Sequence, residues 1–98
     1  MPPPPDDLIP YDTMVDIMVD LRLMDAILLQ EQKKGSSLLN EQKFYLFRSI
    51  EQKYGITRDR FDRSFAWYQN DLELLDKMFA DAITRLVKMK EETVLEKE

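Results

Sequence analysis

Ninety-eight residues, 44% of them hydrophobic, suffice for one domain with a real core and are too few for two. Fourteen Lys and Arg against nineteen Asp and Glu leave a formal charge of -5 and a pI near 4.7, which sets aside general nucleic-acid binding, since that normally rests on a basic excess. With no Cys and no His, structural zinc, thiol chemistry, haem ligation through His and His-based acid–base catalysis all lack their usual residues.

The acidic excess sits at the front, where residues 1–34 hold seven acids and three bases. Residues 1–10, MPPPPDDLIP, begin with Pro2 to Pro5 and then Asp6 and Asp7. Such a run is stiff and extended, and its prolines donate no backbone hydrogen bonds, so it reads as a tether. No basic segment followed by an apolar one opens the chain and no apolar run of about 18 residues occurs, so neither a signal peptide nor a membrane span is expected and the chain as written reads as soluble.

Tyr11 to Lys34 shows no strand alternation and no breaker before Gly35, with Asp12 as the expected N-cap and Pro10 just outside it. Met14, Val15, Met18, Val19, Leu21, Met24, Ala26, Leu28 and Leu29 cover most of its circumference, whereas Asp16, Asp20, Gln30 and Glu31 share the remaining face. A helix of this kind is buried on more than one side and reads as the central one. Ser36 to Asn40 offers several caps for a second helix reaching about Tyr54, with Phe44, Phe47, Ile50 and Tyr54 as its core stripe. Gly55 then takes the left-handed position and Ile56 the accompanying apolar contact. Thr57 caps a third helix with the stripe Phe61, Ser64, Phe65 and Tyr68, which ends near Asn70. Asp71 caps the fourth, whose stripe is Leu75, Met78, Phe79, Ala82, Ile83, Leu86 and Val87, with Lys77, Asp81, Thr84, Arg85 and Lys88 opposite. The expected fold is all-α, a compact bundle of four helices with the first and last long and the middle two short, over residues 11–92; residues 93–98 are expected to fray.

Two segments, DLIPYDTMVDIMVDLRLMDA (Asp7 to Ala26) and KYGITRDRFDRSFAWYQND (Lys53 to Asp71), carry a family resemblance. Their LIP opening, the Met14-Val15-x-Ile17 helix, the Tyr54-Gly55-Ile56-Thr57 turn and the Ser64-x-x-Trp67-Tyr68 helix resemble a family of small helical lipoproteins from Bacteroidetes, catalogued as a domain of unknown function. Arg22 stands where that pattern has His, Asp25 where it has Glu, and Trp67 where it has the first Tyr of a pair, so no titrating His is required. The resemblance implies a cell-envelope protein held by a lipid anchor absent from this chain, trimmed at the lipidation site with Met1 supplied by a start codon. It brings no established activity.

Asp12, Asp16 and Asp20 recur every fourth residue, but hard cations want six or more oxygens converging from a loop, so a solvated helix face is expected and no metal or cofactor is assigned. Asp25 falls among Met14, Met18 and Leu21 in the apolar sector, where an unpaired carboxylate costs several kcal/mol; a buried hydrogen-bond partner is expected, with Ser64 and Tyr68 as further buried polar candidates. Arg60, Arg63 and Trp67 lie off the stripe of the third helix, where guanidinium groups beside an indole suit an acidic protein patch, an anionic sugar or a lipid headgroup; a local Arg63/Trp67 contact or burial of Trp67 would be the structural use. The acids Asp59 and Asp62 argue against a DNA-reading helix there. Both glycines are spent on helix ends, leaving no phosphate-cradling loop.

A non-enzymatic envelope domain that binds a protein partner or aids an assembly is the first expectation. A carrier of small apolar molecules or lipids, using a cleft lined by Met and aromatic side chains, is the second, and a carboxylate hydrolase the third. An enclosed apolar cavity would favour the carrier, a flat exposed patch with Trp67 the partner binder, and convergent carboxylates the enzyme.

Overall fold

The computed structural model describes residues 1–97, with side-chain surroundings through residue 94. Four helices follow one another: α1 (Tyr11–Lys33), α2 (Leu39–Tyr54), α3 (Arg58–Tyr68) and α4 (Leu72–Lys97), with no strand among the described residues. The all-α fold with long first and last helices is as expected. α4 continues through Lys97 instead of stopping at residue 92, and Glu98 lies outside the described residues.

The junctions follow from local chemistry. Gly35 and Gly55 adopt φ of +74° and +63°, and the amides of Ser36 and Ile56 reach back to the carbonyls of Glu31 and Glu51 at 3.2 and 3.0 Å, the wrapped stop that a left-handed residue permits. Thr57 Oγ1 accepts from the Arg60 amide at 3.1 Å and Asp71 Oδ1 from the Leu74 amide at 3.1 Å, which caps α3 and α4. Asp12 does not cap α1. Pro10 holds that position, its carbonyl taking the Met14 amide at 2.9 Å, so Asp12 sits exposed in the first turn against the positive end of the helix dipole. α2 starts after Leu38 without a side-chain cap, Ser36 Oγ accepting the Leu38 amide instead.

α1 is the axis of the fold. α2 returns along it as a hairpin, tied by Gln42 to Glu31 near the turn and by Lys53 and Tyr54 to Asp20 at the far end, at 2.8 and 2.6 Å. α4 lies on the other flank and runs in the same direction as α1, since Tyr11 pairs with Asp81 and Asp16 with Arg85. Asp16 and Asp20 are therefore cross-links between helices, not members of a solvated row. No three His, Cys, Asp or Glu among the described residues are placed to hold a metal ion.

Met14, Val15, Ile17, Met18 and Val19 are buried over most of the circumference of the N-terminal half of α1, together with Met24 further along it and with Ile9, Ile50, Ile56, Tyr68, Met78 and Ala82. Several stripe positions stay outside this core. Ala26 and Leu29 are exposed, Phe44 is 71% exposed, and Phe79, Ile83 and Val87 on α4 are about half exposed. The cause is length: the 11 residues of α3 span about 16 Å, against about 39 Å for the 26 of α4, so α3 covers only part of its longer neighbours. No helix among the described residues is long and apolar enough to cross a membrane.

The Tyr11 hydroxyl donates to Asp81 Oδ2 at 2.5 Å, and burial, reinforced by that carboxylate, pushes its pKa up from 10.0 to about 12. A raised folded pKa contributes stability that is complete below the unfolded value near 10 and is lost as pH rises towards 12. Tyr11→Phe is therefore expected to be less stable than the parent chain at pH 8, with the gap in urea midpoints closing between pH 10 and 12. A gap that stays constant over that range would show that the Tyr11–Asp81 bond does not link α1 to α4 in solution.

Candidate functional site

One face of α3 carries Arg60, Arg63, Ser64, Trp67 and Tyr68, spaced three or four apart so that they stack along the helix. The structure brings these residues together, but the chain's own N-terminal segment lies over them. Ser64, fully buried, accepts the Ile9 amide through Oγ at 3.0 Å, and the Tyr68 hydroxyl donates to the Ile9 carbonyl at 2.7 Å. Both polar groups of one peptide-linked residue are thus satisfied by side chains, as a buried non-helical backbone requires. Burial raises the Tyr68 pKa, which keeps its hydroxyl a donor through the ordinary pH range.

The outer residues extend this clasp. Arg60 Nε donates to the Asp7 carbonyl at 2.7 Å, Arg63 Nη2 to the Asp7 carboxylate at 2.5 Å, and Trp67 Nε1 to the Pro2 carbonyl at 2.9 Å. The trio picked out as a free partner-binding face is engaged within the chain, and Trp67 is half-buried with its ring edge-to-face on Tyr68 at 5.2 Å. Residues 2–10 are accordingly part of the packed domain and not a free tether. Prolines lack N–H groups but keep carbonyls, and a strap of acceptors suits a helix face rich in donors.

Asp25 is exposed and takes part in none of the hydrogen bonds or ion pairs among the described residues. It lies in the second half of α1, where Met24 is the one buried residue, so its place in the apolar sector of the wheel does not bring it into the core.

Between α1, α3 and α4 the incomplete cover leaves a half-open groove of about 500 Å³. Phe61 and Phe65, their rings stacked 5.9 Å apart, form one wall; Met18 and Leu21 form the second, and Phe79, Ala82, Ile83 and Leu86 the third. The only charged side chain in the lining is Arg22. No carboxylate, hydroxyl or amide side chain lines it, so it offers shape and apolar contact rather than acid–base or nucleophilic chemistry. Sequence reasoning placed the walls of this groove in the core; the one signal of an opening was a third helix much shorter than the fourth.

The family described as Domain of unknown function (DUF4296) matches residues 5–92, which takes in both the clasp from Asp7 onward and the whole groove. No curated protein and no solved structure matches the chain.

Proposed function

This chain belongs to the DUF4296 family, and from that premise we propose that it is a non-enzymatic binding domain of the cell envelope that takes up a small apolar ligand in the groove between α1, α3 and α4. The observation that carries the reading is the groove itself, about 500 Å³ with an almost wholly apolar lining, within the range of about 300–1,000 Å³ usual for small-molecule sites. Envelope placement rests on the lipoprotein resemblance of the LIP opening and the Tyr54–Thr57 turn. The Arg60, Arg63 and Trp67 face no longer supports a partner-binding role, because the strap occupies it.

Nile red, a neutral apolar dye, is expected to bind saturably to the intact chain. Ile83→Lys should weaken it at least about tenfold, because ligand occupancy would bury a second cation beside Arg22 with no carboxylate in the lining to pair with it. Ile83 is 56% exposed, so this change should leave the melting temperature within a few degrees. Absence of saturable binding by the parent chain would sink the proposal. A protein partner is the second reading, favoured by the exposed apolar positions Ile83, Val87 and Val94, which continue the groove along α4 as a seat for an amphipathic helix. Crosslinking in native envelope, with Val87→Glu as the control, tests it.

A further inference from the structure

Resting on that reading of the groove, we infer that its ligand is a single-chain fatty carboxylate whose head is held by Arg22. Four of the six arginines are already engaged within the chain: Arg58 with Asp62, Arg60 and Arg63 with Asp7, and Arg85 with Asp16. Arg22 takes part in none of the hydrogen bonds or ion pairs among the described residues, and it is the one charged group of an apolar lining. A guanidinium at the edge of such a surface covers apolar contacts with its stem and presents a planar fork to whatever sits beside it.

Arg22 is exposed and the lining contains no carboxylate to pair with it, so its guanidinium is free to take a complementary group from a ligand. A carboxylate matches the fork with two parallel hydrogen bonds, whereas a phosphate head, carrying more charge, would call for a second cation that the groove does not provide. The tail is read by Phe61, Phe65, Phe79 and Leu86, whose surfaces are non-directional and tolerate chains of differing length. The protein as a whole is acidic, with a net charge of -5, and at long range it repels anions. Any preference for an anionic amphiphile over its neutral counterpart therefore has to arise locally.

The test is displacement of Nile red from the full chain by dodecanoate, dodecanol and dodecyl phosphate, with the parent protein, Arg22→Gln and Arg22→Lys. Dodecanoate is expected to displace the dye at about tenfold lower concentration than dodecanol, the effect of one charge-assisted pair. Arg22→Gln should bring dodecanoate down to the level of dodecanol, both read against that variant's own Nile red affinity, and Arg22→Lys should recover part of the difference. Equal displacement by dodecanoate and dodecanol, with the dye still bound saturably, would overturn the head-group assignment and leave the groove standing. A preference for dodecanoate that survives Arg22→Gln would also overturn it, as would tighter displacement by dodecyl phosphate than by dodecanoate. Failure of the parent chain to bind Nile red at all removes the groove reading, and this inference with it.

Discussion

Ile9→Ala is expected to lower the unfolding free energy by about 2–5 kcal/mol, as much as truncating a core residue inside a helix. For a domain of this size that corresponds to a fall in melting temperature of roughly 10–20 °C or more. Ile9 lies in a segment whose composition reads as a spacer, yet it is fully buried beside Met14, Ile17 and Met78 in the core. Its side chain is the apolar anchor of the strap, and the hydroxyls of Ser64 and Tyr68 fix the backbone on either side of that anchor. Met14→Ala provides the comparison inside α1, and Pro3→Ala, at an exposed position, the control expected to change stability by no more than about 0.5 kcal/mol. The chain's single Trp, Trp67, reports the same event: loosening of the strap removes its bond to the Pro2 carbonyl and should shift its emission to the red. A stability change for Ile9→Ala as small as that of Pro3→Ala would return residues 1–10 to the status of a tether.

The boundaries at Gly55, Thr57 and Asp71 were legible because each is settled within a few residues. Gly55 supplies a positive φ, Thr57 an oxygen for the Arg60 amide and Asp71 an oxygen for the Leu74 amide, and none of these depends on the rest of the fold. Asp12 misled because α1 begins at Tyr11, directly after Pro10, which places Asp12 inside the first turn instead of at its cap.

A helical wheel shows which side of a helix is apolar, but not whether another helix reaches it. Asp25, Phe44 and the outer half of the α4 stripe all fall where the short α3, or the end of a hairpin, leaves a face uncovered. A cleft lined by Met and aromatic side chains was among the expectations, but its position was illegible for the same reason, since it is made of residues that a longer α3 would have buried. Arg60, Arg63 and Trp67 were recognisable as a cluster of donors with an aromatic neighbour. Their occupant was not, because it lies more than fifty residues away in the chain and contributes mainly carbonyl oxygens, which every residue has.

Ser64→Ala and Tyr68→Phe should each cost about 1–3 kcal/mol, because each removes one partner and leaves a buried polar group of Ile9 unsatisfied. Their shapes are otherwise kept, so the cost comes from the orphaned amide in the first case and the orphaned carbonyl in the second. Arg63→Ala removes a half-exposed ion pair to Asp7 and should cost less than about 1 kcal/mol, although its bond is the shorter one. The two hydroxyls act on the same residue. Once either is gone the Ile9 backbone can rotate towards water, so the double variant should be destabilised by less than the sum of the singles, with a coupling of at least about 0.5 kcal/mol. Hydrogen exchange supplies the local readout: the Ile9 amide should lose protection in Ser64→Ala before the α1 amides do, since opening the strap need not unfold the helix. Additive effects of the two changes, with the Ile9 amide as protected as the centre of α1, would mean that packing of the Ile9 side chain alone holds the strap and that the hydroxyls merely follow it.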